Sequence, residues 1–89
     1  MGEIKIFYET EISKQDEIIR AIQDRFGSGP LYSENTIVLR GDEDSGLEIV
    51  RLNIRDQRIK ILVTITDSEL LEFFNSVLGK PTKVKGRLS

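Results

Sequence analysis

Residues 59–78 place a strand and an amphipathic helix almost end to end, and they restrict what the chain can fold into more than any other stretch. Over 59–66, Ile59, Ile61, Val63 and Ile65 point one way and Lys60, Thr64 and Thr66 the other. That alternation is the mark of a strand with one buried side. From Asp67 or Ser68 onward, Leu70, Leu71, Phe74, Val77 and Leu78 recur at intervals of three and four, so a helix gathers them into one apolar stripe. Laying that stripe on the strand removes five large side chains from water, worth on the order of 10 kcal/mol before chain entropy is counted. The remaining residues must supply neighbouring strands and the rest of the cover.

Upstream, the spacing predicts a strand over 3–9, with Ile4, Ile6 and Tyr8 on its core side and Phe7 on the other. A helix follows, with Ser13 as its cap and Ile18, Ile19, Ile22 and Phe26 as its buried stripe, stopped by Gly27 and Pro30. Residues 31–35 read as a loop, 36–40 as a short strand and 47–54 as a third strand. The third strand carries Leu47 and Ile49 on one side and Val50, Leu52 and Ile54 on the other, so it is expected to be covered on both. A polar turn over 55–58 then makes a hairpin with the organising strand. The order is β-α-β-β-β-α. It implies an α+β two-layer sandwich, an antiparallel sheet of three to four strands with both helices on one face. Residues 1–79 form the single domain and 80–89 a basic tail.

Eighty-nine residues suffice for one small core. The chain has neither cysteine nor histidine, which removes thiolate chemistry, disulfides, and the commonest metal ligand and general base. No nucleophile is paired with an orienting group, so no catalytic residue, metal or cofactor is assigned and the chain reads as a non-enzyme. There is no signal-peptide pattern and no apolar run of membrane-spanning length, so a cytoplasmic protein without membrane contact is expected. The net charge of -2 divides unevenly: residues 1–79 hold nine basic against fifteen acidic side chains, while the tail holds four basic ones and no acid.

Four features bear on chemistry. The acidic turn at 42–46 resembles the start of a calcium loop, but Asn53 stands where the distal glutamate belongs, leaving a solvated hairpin connection. Residues 66–69 read as a helix cap, with Thr66, Asp67 or Ser68 as the capping group. Lys80, Lys83, Lys85 and Arg87 are the points for RNA contact, although 82–85 also fits a short edge strand defended by its lysines. Phe73 lies beside the helix stripe, either as a partner anchor or closing the core rim against the first helix. With helices on one face, the opposite face exposes apolar residues to a protein partner; Phe7, Val50, Leu52, Leu62 and Phe73 are the expected interface.

The strand, capped helix and hairpin leading through Thr66-Asp67-Ser68 into a helix with Asn75-Ser76 and Leu78 resemble the small dimerising subunit of the KEOPS complex. The likeness covers 4–26 and 47–78. In this chain the Asp-Ser to Asn-Ser spacing is about one residue short, Glu72 replaces a usual basic residue, and 36–40 looks like an added strand. A divergent accessory paralogue would show such departures. The resemblance implies a non-catalytic dimerisation or assembly subunit of a complex that makes threonylcarbamoyladenosine in tRNA. Its partners would be a second copy, a paralogue or the catalytic subunit, with weak tRNA contact. The alternatives are a small RNA-binding module using the sheet and the basic tail, and an interaction protein of another pathway.

Overall fold

The computed structural model describes residues 2–87, without the side chain of Arg87. Its elements are β1 (Glu3–Glu11), α1 (Gln15–Phe26), β2 (Leu31–Ser33), β3 (Thr36–Arg40), β4 (Leu47–Arg55), β5 (Arg58–Ile65), α2 (Leu70–Leu78) and β6 (Lys83–Arg87). The strands form one sheet in the order β2-β3-β4-β5-β1-β6, and every neighbouring pair is antiparallel. Both helices lie on the same side of it, sharing one core with the inward residues of the strands. The architecture is the α+β sandwich that the alternation implies, but with six strands where three to four were expected.

The central pair is β1 with β5, in register from Ile4 opposite Ile65 to Glu11 opposite Arg58. Ile6, Tyr8, Ile59, Ile61, Val63 and Ile65 all point inward and are buried. α1 covers them with Ile18, Ile19 and Ile22, and α2 with Leu70 and Phe74. Where the helices meet, Phe26 stacks on Phe74 with ring centres 6.0 Å apart, and Phe73 sets its edge against both rings at 5.7 and 5.0 Å. Tyr8 also reaches α2: its hydroxyl donates to Asn75 Oδ1 at 2.7 Å. Burial pushes the Tyr8 pKa up to about 12, so the phenol stays protonated as this bond requires.

The helix starts differ from the expectation at one end and match it at the other. Ser13 does not cap α1. It sits in a single 3-10 turn over Ile12–Lys14, with its hydroxyl toward Glu11 Oε2 at 3.5 Å. The Ile12 N–H is bonded to Gln57 O at 3.0 Å, so the chain leaving β1 is held to the β4–β5 turn and the helix begins later. For α2, Asp67 is the one of the three candidates whose side chain bonds at the helix start, its Oδ1 accepting the Glu69 N–H at 3.0 Å in the turn before the helix; Glu69 is the N-cap and makes no side-chain cap bond. Thr66 is turned to the Gly46 carbonyl, to which its N–H donates at 2.7 Å.

The two added strands lie at the edges. β2 falls within the segment read as a loop; its three residues are all exposed and pair only with β3. β6 falls within the segment read as a tail, where 82–85 also fits a short edge strand. Thr82 anchors it, donating to Phe7 O from its N–H at 2.7 Å and its hydroxyl at 3.1 Å, and Lys83 to Arg87 then pair with β1. Gly86 is required there: its φ is +90°, and a β-carbon would collide with the Glu3 carbonyl oxygen. Residues 80–89 are therefore not a detached tail as far as they are described; Leu88 and Ser89 lie outside the described residues.

The β4–β5 hairpin closes through Asp56 and Gln57, whose φ angles are +51° and +64°. Two successive positive φ values define the turn that matches strand twist, and Asn-Gly is the dipeptide that adopts it with least strain. Replacing Asp56→Asn and Gln57→Gly together is expected to stabilise the domain by about 1 kcal/mol, raising the midpoint in a thermal melt by roughly 5 °C. An unchanged or lower midpoint would refute the assignment of strain to this turn.

Candidate binding face of the sheet

Because side chains alternate along a strand, the register that buries the core also fixes what the opposite face displays. One row runs Leu31, Val38, Arg51, Leu62, Phe7, Lys83 across all six strands. The next row on one side is Arg40, Ile49, Thr64, Lys5, Lys85, and on the other Ser33, Thr36, Asn53, Lys60, Glu9. Among the described residues no helix lies on this side. Val38, Ile49, Leu62 and Phe7 are half-buried among their neighbours, and Thr64, flanked by Ile49 and Lys5, is buried. A six-stranded sheet thus has one face sealed by helices and one with an apolar centre open to solvent.

The charges are sorted between the two sides. Lys5, Arg40, Arg51, Arg55, Arg58, Lys60, Lys83 and Lys85 all project from the open face, eight of the thirteen basic residues of the chain. Only four of the fifteen carboxylates join them: Glu3, Glu9, Glu11 and Glu48. Arg58 holds Glu9 with two bonds, Nη2 and Nε at 3.0 and 3.3 Å from Oε2. Eleven carboxylates lie in the helices, the loops and the acidic turn after β3. The chain is acidic overall and yet presents a basic sheet.

Next to Phe7 the face dips into a depression of about 430 Å³. Phe7 and Leu62 line it, with Arg51, Asn53, Lys60, Glu9 and Thr82 around them. Its lining is mostly apolar, with two cations, an amide and the Glu9 carboxylate among the polar groups. At the far end of the sheet, a shift of register between Leu47 and Ile49 turns Glu48 toward Glu3. Hydrogen bonding to Glu3 and the repulsion of its charge raise the Glu48 pKa above the ordinary carboxylate value.

Of the residues expected to form an interface, the structure brings Phe7 and Leu62 together on the open face. Val50 and Leu52 are corrected: both are fully buried, facing the helices, and offer nothing to a partner. The pairing of Leu39 with Val50 and of Leu52 with Ile61 sets them inward, so Ile49 and Arg51 are the β4 residues on the open side. Phe73 closes the core rim against Phe26, with the Arg25 guanidinium 5.8 Å from its ring centre. Lys83 and Lys85 are on the face. Lys80 precedes β6 and is exposed, and the side chain of Arg87 lies outside the described residues. Sequence reasoning missed Lys5, Arg51 and Lys60, whose positions opposite the core residues of their own strands were a legible signal.

The acidic turn folds on itself, with Ser45 donating to Asp42 O from its N–H at 3.1 Å and its hydroxyl at 2.7 Å. Among the described residues no three His, Cys, Asp or Glu side chains converge as a metal-holding group, and no helix is long and apolar enough to cross a membrane. The fold and this face define an α+β domain with one sealed and one open sheet surface. Comparison with family models, curated proteins and solved structures finds no match.

Two expectations follow. Phe73→Ala should cost about 2–4 kcal/mol of stability by opening the three-ring cluster, read as a denaturant midpoint shift. Were Phe73 a partner anchor instead, the midpoint would not move. For Glu48 the folded pKa lies above the unfolded one, so stability is complete below the unfolded value and is lost as pH rises through the folded one. Glu48→Gln should therefore melt higher than the parent at about pH 7 and together with it near pH 3. The same melting difference at both pH values would exclude the carboxylate repulsion.

Proposed function

We propose that the chain is a non-catalytic assembly subunit of a KEOPS-like, threonylcarbamoyladenosine-forming tRNA-modification complex, with the open face of its sheet as working surface. The observation that carries this reading is the one-sided cover: two helices seal one face and leave Phe7, Leu62, Ile49 and Val38 together on the other. A contiguous apolar centre on an open sheet is the usual sign of a contact surface. The absence of cysteine and histidine from the sequence favours a binding role over a chemical one. The tRNA-modifying setting comes from the resemblance of the Asp67-Ser68 helix start and Asn75-Ser76. Asn75 in that pattern is the acceptor for Tyr8.

Co-expression with the catalytic subunit of such a complex tests it, followed by size-exclusion chromatography with light scattering. The expected result is a particle that retains the catalytic subunit, or a species of at least twice the 10.2 kDa chain mass. Leu62→Glu, and separately Arg51→Glu, should dissociate it while leaving the melting curve of the isolated chain cooperative. A monomer that ignores the catalytic subunit would end the proposal.

A further inference from the structure

We propose that the open face seats a single-stranded RNA segment, with phosphates along the cations of β1, β4, β5 and β6 and one base on the Phe7 ring. This rests on the reading of that face as the working surface, and names what lies against it. The first support is sign. A merely solvated face mixes its charges, whereas here eight cations meet four carboxylates, two of them already paired, Glu9 with Arg58 and Glu3 with Lys5, on a chain whose net charge is -2. The second is placement. Lys5, Arg55 and Arg58 are held by Glu3, Asp56 and Glu9, whereas Arg51 on β4, Lys60 on β5 and Lys83 and Lys85 on β6 make no ion pair among the described residues. These cations are left for a polyanion.

The third support is the depression beside Phe7. Its volume of about 430 Å³ falls in the range of small-ligand sites, and the half-buried Phe7 ring takes no part in the three-ring cluster under the helices. Lys60 and Arg51 flank that ring for phosphate, and the Asn53 amide can both donate to and accept from a base edge. Sequence-tolerant binding of single strands combines these same two elements, a basic track and an aromatic on which a base stacks. A duplex offers no unstacked base for the ring.

Fluorescence anisotropy of the full chain with a labelled single-stranded RNA of about twelve nucleotides tests the inference. With about four phosphates neutralised, affinity should fall roughly 50-fold between about 50 and 200 mM salt. Lys60→Glu with Lys83→Glu should weaken binding at least about tenfold, both positions being exposed and outside the core. Phe7→Leu should weaken it roughly tenfold and Phe7→Tyr preserve it. Lys14→Glu with Arg20→Glu, on the helix side, should matter less than about twofold.

No binding at low salt, equal losses from the helix-side pair, or an indifferent Phe7→Leu would overturn the proposal. So would equal affinity for duplex RNA or for poly-glutamate, the last pointing to an acidic protein partner. If the catalytic subunit is retained through Leu62 and no RNA is bound, the assembly reading stands without this inference. If RNA is bound and the catalytic subunit is ignored, the inference stands without the assembly role.

Discussion

Every other part of the molecule depends on the burial of one side of β5 between its two antiparallel neighbours. Ile59, Ile61, Val63 and Ile65 are each at most 2% exposed, and the strand pairs over its whole length with both β1 and β4. Four branched side chains in alternation leave no second way to place the strand: a one-residue slip would put all four in water and Lys60, Leu62 and Thr64 in the core. Lost burial on that scale, about 6–12 kcal/mol, is comparable to the whole net stability of a domain of this size. The strand is therefore fixed first in an energetic sense, and β1, β4 and the two helices are arranged around it.

That hierarchy explains what could be read from the residues alone. β1, β5, α1 and α2 were legible because their burial is periodic and deep, and the class of fold follows from them. β2 was not, and β6 only as the alternative of a short edge strand over 82–85, because neither gains its pairing from its own side chains. Leu31 and Tyr32 remain 65% and 67% exposed, and Val84 is half exposed. These strands exist because β3 and β1 present unfilled edges, a property of the assembled sheet that no local pattern encodes. The orientation of β4 was ambiguous for a different reason. With apolar residues at 47, 49, 50, 52 and 54, alternation fails between Leu47 and Ile49, where the register shifts and both parities carry a hydrophobic residue. Only pairing with β3 and β5 decides that Val50 and Leu52 go in.

The site follows the same logic. Its aliphatic and aromatic centre, Phe7 and Leu62, was visible as the wrong-parity residues of two strands. Its cations were legible only one strand at a time, each as a residue on the side away from the core, and no local pattern joins the five separate segments they come from. Lys5, Arg51, Lys60 and Lys83 are distant in sequence and become neighbours only through register, while a basic run near the chain end drew attention to itself by being contiguous. Charge sorting between the faces of a sheet is a property of parity, and it appears only once each strand's buried side is known.

β1 is where core and face are coupled most tightly, because its two aromatic residues are consecutive and point to opposite sides. Tyr8 is held inward by burial and by its bond to Asn75 of α2, while Phe7 is held outward beside Leu62. Exchanging them by a slip of one residue would place a phenol on the open face and leave Asn75 without its donor in a partly buried setting, where losing a hydrogen-bond partner costs about 1–3 kcal/mol. Phe7 also lends its carbonyl to Thr82, the anchor from which β6 starts, and β6 brings Lys83 and Lys85 to the face. The Tyr8–Asn75 contact in the helical layer therefore sets both the position of the outward ring and the strand that carries its neighbouring cations. The open face has the geometry it has because the sealed face leaves β1 a single register.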